Sequence, residues 1–154
     1  MSADRLPTLD CACASLRRAA RAVTRAYETE LRDTGGGLRA TQFTLLQALE
    51  RTGTSPQSAL GDLLALDSTT LSRTLRPLAR AGWIREGEGT DRREVRWSLT
   101  PAGRRRLARA QPAWERAQAR LRARLGAKHW KLLVDDLATV AAAARSGVNA
   151  TGIA

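Results

Sequence analysis

The chain has 154 residues, with 26 lysines and arginines against 15 aspartates and glutamates, so its formal net charge is +11. There is no apolar run of the roughly 18 residues that a membrane span requires, no recognisable secretory signal, and too few cysteines for a disulfide framework, so we expect a cytoplasmic, one-domain protein. The positive excess predicts an anionic partner, nucleic acid ahead of a membrane surface.

A long amphipathic helix is predicted first, from about Leu9 to Leu31. Its apolar residues recur at spacings of three and four, at Leu9, Cys13, Leu16, Ala20, Val23, Tyr27 and Leu31. At 1.5 Å per residue this helix would be roughly 35 Å long, more than a small domain can cover. The glycines at 35–37 end it.

Three short helices are predicted next. The first lies in TQFTLLQALE; the second begins at Pro56, with Ser55 as its N-cap. The third, STTLSRTLRPLARAG, is capped by Asp67 or Ser68 and closed by Gly82. The apolar positions expected in the first two helices are Phe43, Leu45, Leu46, Leu49, Leu60, Leu63 and Leu64.

A hairpin and two further helices complete the chain. The runs Trp83–Arg85 and Val95–Leu99 are typical of strands, and Val95, Trp97 and Leu99 share one face. Thr100 and Pro101 repeat the cap-and-proline helix start. The apolar positions expected on the last two helices, which Gly126 separates, are Leu107, Trp114, Leu121, Leu125, Trp130, Leu133, Leu137, Val140 and Ala144.

The third short helix has two chemically different sides. Leu71, Leu75 and Leu78 cluster within about 60° and should face the core. The residues expected on and beside the other side are small hydroxyls and arginines. Six of them are predicted to bind DNA, namely Ser68, Thr69, Thr70, Ser72, Arg73 and Arg76, and Arg80 lies on the same side. Small hydroxyls allow close approach to a major groove, and arginine can bond two acceptors of guanine. A solvated helix face is the alternative.

Pro77 lies inside this predicted helix. Proline removes one backbone hydrogen bond and costs roughly 3 kcal/mol in a regular helix interior. The helix therefore either kinks at Pro77 or ends its reading portion near Arg76, and the sequence leaves both open.

A buried helix, a tight turn and an amphipathic helix make a helix-turn-helix, so the hairpin that follows is interpreted as a wing. Its tip, in DRREVRWSL, carries Arg92 and Arg93, which we expect to reach phosphates or the adjacent minor groove. Asp91 is unsuited to phosphate contact. We expect it to accept hydrogen bonds from a neighbouring guanidinium or turn amide and so support the wing.

The predicted fold is mainly α with a small β wing: a winged helix-turn-helix over 38–100, and long N- and C-terminal dimerisation helices over 1–34 and 101–146. Residues 147–154 are expected to form a frayed tail. The two terminal helical regions carry apolar stripes that one small winged domain cannot cover, which favours pairing across a two-fold axis. Packing of these helices within one chain is the alternative.

The segment LGDLLALDSTTLSRTLRPLARAGWI, leading into DRREVRWSLTPAGRR, resembles the multiple-antibiotic-resistance regulator (MarR) family of winged helix-turn-helix repressors. With the helix order, the resemblance covers nearly the whole chain. It implies a homodimer that binds a palindromic operator in double-stranded DNA, usually as a transcriptional repressor released by a ligand, oxidant or metal. It also implies a pocket for a small-molecule inducer, often an aromatic acid, which Arg17, Arg21 or Tyr27 could line.

Cys11 and Cys13 are the only thiols. Residues two positions apart in a helix diverge by about 200°, so within a helix the two thiols could neither form a disulfide with each other nor hold one ion together. Either Cys13 is a small core residue and Cys11 incidental, or the pair senses an oxidant or a soft metal by meeting a residue of a partner chain. The sole histidine, His129, is expected to be solvated.

No enzyme active site is predicted. The sequence has one histidine, no cluster with metal-ligand spacing, no glycine-rich phosphate loop after a strand and no nucleophile elbow. No cofactor is required for DNA binding. The competing hypothesis is a sequence-nonspecific architectural DNA-binding protein, because a charge of +11 attracts any duplex.

Overall fold

The structure is a computed structural model that describes residues 7–33, 37–88 and 94–149. Its elements, in chain order, are α1 (Ala12–Asp33), α2 (Ala40–Thr52), β1 (Ser55–Pro56), α3 (Gln57–Leu64), α4 (Ser68–Arg80), β2 (Ile84–Glu88), β3 (Val95–Leu99), α5 (Pro101–Leu125) and α6 (Ala127–Asn149). The predicted fold class, mainly α with a small β wing, is confirmed. In the described part of the chain, every helix is too short or too polar to cross a membrane.

The chain divides into two compact units, Met1–Glu115 and Arg116–Ala154. The core of the first unit consists of apolar side chains from helices α1 to α5 and from the sheet. Its most deeply buried large side chains are Leu31, Leu38, Phe43, Leu45, Leu46, Leu49, Leu60, Leu71, Leu75 and Leu78. The prediction that α4 turns its three leucines inward is therefore confirmed.

Leu63 is an exception in α3, because 58% of its surface is exposed. Leu60 and Leu64 lie four residues apart on the inner side of this short helix, and Leu60 is buried whereas Leu64 is half-buried. Leu63 points about 100° away from Leu64. Of the three apolar positions identified in α3, Leu63 therefore lies outside the core.

Helix α1 begins at Ala12, three residues later than predicted. Only its C-terminal part is covered: Tyr27 and Leu31 are buried, while Leu16 and Val23 are exposed. An aromatic cluster joins α1, α2 and α5, because the ring of Trp114 packs edge-on against Tyr27 at 4.3 Å and stacks on Phe43 at 4.2 Å. These contacts attach the end of α1 to the winged domain.

Ser55 and Pro56 form strand β1 instead of starting a helix. Three antiparallel strands are ordered β1-β3-β2, with Ser55 paired to Trp97. The prediction of Ser55 as an N-cap was wrong: Pro56 is the cap residue of α3, and the Ser55 hydroxyl donates to Thr52 Oγ1 at 2.7 Å. Proline is tolerated because β1 is an edge strand.

Two predicted caps are confirmed. The Asp67 carboxylate accepts the N–H of Thr70 at 2.8 Å at the start of α4, and Thr100 Oγ1 accepts the N–H of Gly103 at 3.0 Å at the start of α5. Gly82, just after α4, adopts a φ of 69°, a conformation that favours glycine.

Helix α4 continues through Pro77 to Arg80. Its reading portion therefore need not end at Arg76. Arg73 and Pro77 are both exposed, so water can reach the Arg73 carbonyl that the missing proline N–H leaves without its helical donor.

The second unit contains the end of α5, a turn at Gly126 with φ 79°, and α6. Helix α6 extends to Asn149, three residues into the expected tail, and residues 150–154 lie outside the described part. His129 is exposed, as expected. The large apolar side chains of α6 that are exposed are Leu132, Leu133, Val134, Leu137 and Val140.

Candidate nucleic-acid interface

Helix α4 presents most of its polar residues to solvent. Ser68, Thr69, Thr70, Arg73 and Arg76 are exposed, and Ser72 is half-buried. Five of the six residues predicted to bind DNA from this helix line one surface recess of about 380 Å³: Ser68, Thr69, Ser72, Arg73 and Arg76. The recess places two guanidinium groups beside small hydroxyls, the combination that suits close approach to base edges and phosphates.

Thr70 is the sixth residue, and it contributes to the start of α4. Its hydroxyl donates to Asp67 Oδ2 at 2.6 Å while its N–H donates to Oδ1. These two hydrogen bonds, that of the hydroxyl first, hold the pKa of Asp67 below its usual value. The Thr70 side chain is thus used to cap α4.

Ser72 accepts a hydrogen bond that the sequence analysis did not anticipate. Gln57 Nε2 donates to Ser72 Oγ at 3.1 Å, and Trp97 Nε1 donates to Gln57 Oε1 at 3.0 Å. Gln57 thereby joins the first helix of the helix-turn-helix, the recognition helix and the central strand. These partners lie 15 and 40 residues away along the chain, so no local sequence signal indicates them.

Strands β2 and β3 form the wing. Ile84 pairs with Leu99 at one end of the hairpin, and Glu88 pairs with Val95 at the other. The segment predicted to form the wing tip lies between Glu88 and Val95 in the sequence. Asp91, Arg92 and Arg93 lie in that segment, outside the described residues.

Arg96 anchors β3, a role that the sequence analysis missed. Its guanidinium donates to Glu94 Oε2 at 2.9 Å and to the carbonyl of Thr54 at 3.3 Å. The wing strand is thereby attached to the turn before β1. A second hairpin arginine, Arg85, is exposed and donates to Ser98 Oγ at 3.2 Å.

The exit of α4 is fastened to the start of α5. Thr100 Oγ1 donates to the carbonyl of Gly82 at 2.6 Å and accepts from Gly103. The Arg106 guanidinium lies 4.8 Å from the centre of the Trp83 ring, within cation–π distance. These contacts hold α4 in a fixed orientation to the start of α5.

A cavity of about 420 Å³ lies within the first unit between α1, α2, α4 and α5. Of the three residues predicted for a ligand pocket, Tyr27 lines this cavity, whereas Arg17 and Arg21 are exposed on α1 and do not line it. Thr70 and Thr74 of α4 also line it, and the described lining side chains are all uncharged. Burial raises the pKa of Tyr27 above 10.0, so its phenol is neutral at physiological pH.

The cysteines lie at the N-terminus of α1, and both are free and exposed. Cys11 precedes the helix, and its carbonyl accepts the N–H of Ser15. The divergence expected of two helical thiols therefore does not apply to this pair, because only Cys13 is helical. Cys13 lies on the apolar stripe of α1, and in the single chain its side chain is exposed. Among residues 7–33, 37–88 and 94–149, no three His, Cys, Asp or Glu side chains cluster as metal ligands.

The fold and this interface define a winged-helix, DNA-binding transcriptional regulator. The family model of a winged helix DNA-binding domain matches residues 38–103. The transcriptional regulator MosR of M. tuberculosis, solved in complex with DNA, is 36% identical, with a TM-score of 0.80 over 89% of this chain and 98% of that one. The chain belongs to the MarR family.

Two further relatives are also described as transcriptional regulators. A probable transcriptional regulator from Pseudomonas aeruginosa is 30% identical, with a TM-score of 0.76 over 85% of this chain and 97% of that one. The HTH-type transcriptional regulator YwoH of Bacillus subtilis (strain 168) is 31% identical over 64 residues, 42% of this chain. That match spans about half of the relative, 47% of its length.

Proposed function

We propose that this protein is a homodimeric, sequence-specific repressor that binds a palindromic operator and is released by a small ligand, an oxidant or a soft metal. The observation that carries the proposal is the recess on α4, where Arg73 and Arg76 lie exposed beside Ser68, Thr69 and Ser72. Arginine forks distinguish guanine from other bases by bidentate hydrogen bonds, which gives such a surface sequence preference. MosR was solved in complex with DNA, which supports DNA binding by this chain.

The proposed homodimer rests on apolar side chains that the single chain leaves exposed. On α1 these include Leu16 and Val23, each 37% exposed, and on α6 Leu132 and Val134, at 48% and 49%. Several large apolar side chains left exposed on a helix favour an association site. A two-fold axis would also set two copies of α4 about one helical turn of DNA apart, roughly 34 Å.

Release by a small ligand is supported by the cavity beside α4. Thr70 and Thr74 lie on the recognition helix itself, so a ligand seated against them contacts the element that reads DNA. The volume suits an aromatic ring or two. A ligand that binds better to one orientation of α4 shifts the population toward it and thereby changes DNA affinity.

Footprinting on the DNA flanking its own gene tests this function, with and without aromatic acids, oxidant and metal. A regulator should protect a discrete palindrome and prefer it roughly thousandfold or more over random duplex. Uniform protection with almost no preference would instead favour the architectural DNA-binding hypothesis. Protection unchanged by every effector would contradict the proposed release.

A further inference from the structure

We propose that Gln57 is a positioning residue that fixes the direction of the Ser72 hydroxyl, so that Ser72 donates a hydrogen bond to an acceptor on DNA. This inference rests on the proposed function of α4 as the reading helix. It assigns to Ser72 the role of a donor, and it makes Gln57 and Trp97, neither of which lines the recess, determinants of DNA affinity.

The chemistry of the three groups determines the direction of each hydrogen bond. An indole N–H can only donate, so the Gln57 atom 3.0 Å from Trp97 Nε1 must be the amide oxygen. The amide nitrogen then faces Ser72 Oγ, at 3.1 Å. Because an amide nitrogen only donates, Ser72 Oγ must accept, and its own hydrogen is left for another partner.

The recess shows where that hydrogen can go. Ser72 is half-buried against Gln57, and it also lines the recess that Arg73 and Arg76 share. Among the described residues, none accepts a hydrogen bond from the Ser72 hydroxyl. Phosphate oxygens and the guanine and adenine N7 atoms are acceptors only, so a hydroxyl committed to donation matches them. Donation by Gln57 also polarises the hydroxyl and strengthens its outward bond.

The backbone holds Gln57 at this position. Gln57 follows β1 directly, and Ser55 of β1 pairs with Trp97 itself. Trp97 is 7% exposed, so its indole is fixed in the core. The Gln57 amide therefore lies between the fixed indole N–H of Trp97 and helix α4, and the position of Trp97 in the sheet sets its orientation.

Gln57→Glu tests the direction of the hydrogen bonds with little change in shape. A carboxylate can accept from Trp97, but its second oxygen can only accept, so Ser72 must turn its hydrogen inward. Ser72→Ala removes the hydroxyl, so Gln57→Glu in that background measures the effect of the added charge alone. We expect Gln57→Glu to weaken binding by about five- to tenfold more in the wild-type background than in Ser72→Ala, the size of one hydrogen bond.

Binding is measured by fluorescence anisotropy on the footprinted operator and on a random duplex of equal length, with variants whose thermal unfolding matches the wild type. If Gln57→Glu costs more affinity in the wild-type background than in Ser72→Ala on both duplexes, the acceptor is a phosphate. If it does so on the operator alone, the acceptor is a base edge. If the two substitutions are additive on both duplexes, the proposal is wrong. If the wild-type protein does not prefer the operator, the proposed function is wrong. The additivity of Gln57→Glu and Ser72→Ala on the random duplex then still shows whether Ser72 donates a hydrogen bond to DNA.

A measurement without DNA checks the hydrogen bonds themselves. The indole N–H signal of Trp97, identified by its loss in Trp97→Phe, should shift and exchange faster with solvent in Gln57→Leu. Leu63→Gln, at an exposed site on the same helix, serves as the control and should leave the signal in place. An unchanged Trp97 signal in Gln57→Leu would overturn the proposal.

Discussion

Gly103, in the first turn of α5, packs directly against the carbonyl oxygen of Trp83, and a Cβ at Gly103 would overlap that oxygen. Since the oxygen belongs to the backbone of Trp83 and a Cβ is bonded directly to the backbone of Gly103, neither can move aside cheaply. We expect Gly103→Ala to lower the free energy of unfolding by about 1–3 kcal/mol, the usual cost of overpacking.

Urea unfolding measures this loss, and Gly87→Ala is its control. Gly87 lies in strand β2 with no atom within 4 Å of an added Cβ and without a positive φ, so its substitution should change stability by at most about 0.5 kcal/mol. If the two variants unfold alike, the junction between α4 and α5 is looser than the contact implies.

The Asp67 cap predicts a pH dependence of stability. Thr70 holds the pKa of Asp67 in the folded chain below its usual value of 3.8. A carboxyl whose pKa is depressed on folding stabilises the fold above its unfolded-state pKa and loses that contribution as pH falls through its folded-state pKa.

Thermal unfolding of wild type and Asp67→Ala should therefore differ at pH 7 and converge as the pH falls below about 4. Asp67→Asn retains a capping oxygen without a titrating group, so its stability should show less acid dependence than the wild type. A difference between wild type and Asp67→Ala that stays constant to pH 2 would show that the carboxylate charge is not what stabilises the cap.

The contacts that sequence analysis predicted are local. Asp67 and Thr100 each bond a backbone N–H three residues ahead, and the leucines of α4 follow from helical period alone. Such features depend on neighbouring residues, so a single sequence contains them.

The contacts that it missed are long-range. Strand β1 exists because Ser55 pairs with Trp97, and a proline after a serine favours a helix start when that partner is unknown. The role of Gln57 depends on the same pairing. The exposure of Leu16 and Val23 likewise depends on what covers α1, which periodicity does not specify.

The cavity beside α4 predicts how an aromatic acid would bind. Its described lining is uncharged, so burying a carboxylate there is costly and the neutral acid should bind better. Benzoate affinity should therefore rise as pH falls toward the ligand's carboxyl pKa, whereas phenol affinity should stay level.

Trp114 reports this binding through its fluorescence, because its ring lines the cavity against Tyr27. Trp114→Phe should abolish the signal change. Benzoate affinity that is independent of pH would mean that a cation reaches the carboxylate, and Arg17→Ala and Arg21→Ala would then show which arginine supplies it.

The exposed thiols allow a direct test of oxidant or soft-metal release. If Cys11 and Cys13 act as a sensor, then the double Cys→Ser variant should keep its operator affinity and lose its response to peroxide and to Zn²⁺. A response to aromatic acids should remain. Equal responses in the variant and the wild type would show that the thiols are incidental.

The salt dependence of DNA affinity, measured on the operator and on random duplex, distinguishes residues that contact bases from residues that contact phosphates. Arg73→Ala should lose about 1–3 kcal/mol on the operator with little loss on random duplex, because a bidentate contact to guanine carries sequence preference. Arg92→Ala or Arg93→Ala should weaken all duplexes and reduce the slope of log K against log[salt] by about 1, because each is expected to release one phosphate counterion.

Arg124→Ala is the matched control for these three variants. Arg124 is exposed near the end of α5, outside the matched winged domain of residues 38–103. Arg124→Ala removes the same charge, so any loss of DNA affinity it causes measures the contribution of the protein's overall charge of +11. Equal losses for Arg73→Ala on operator and random DNA would remove Arg73 from the base-reading residues and leave it a phosphate ligand.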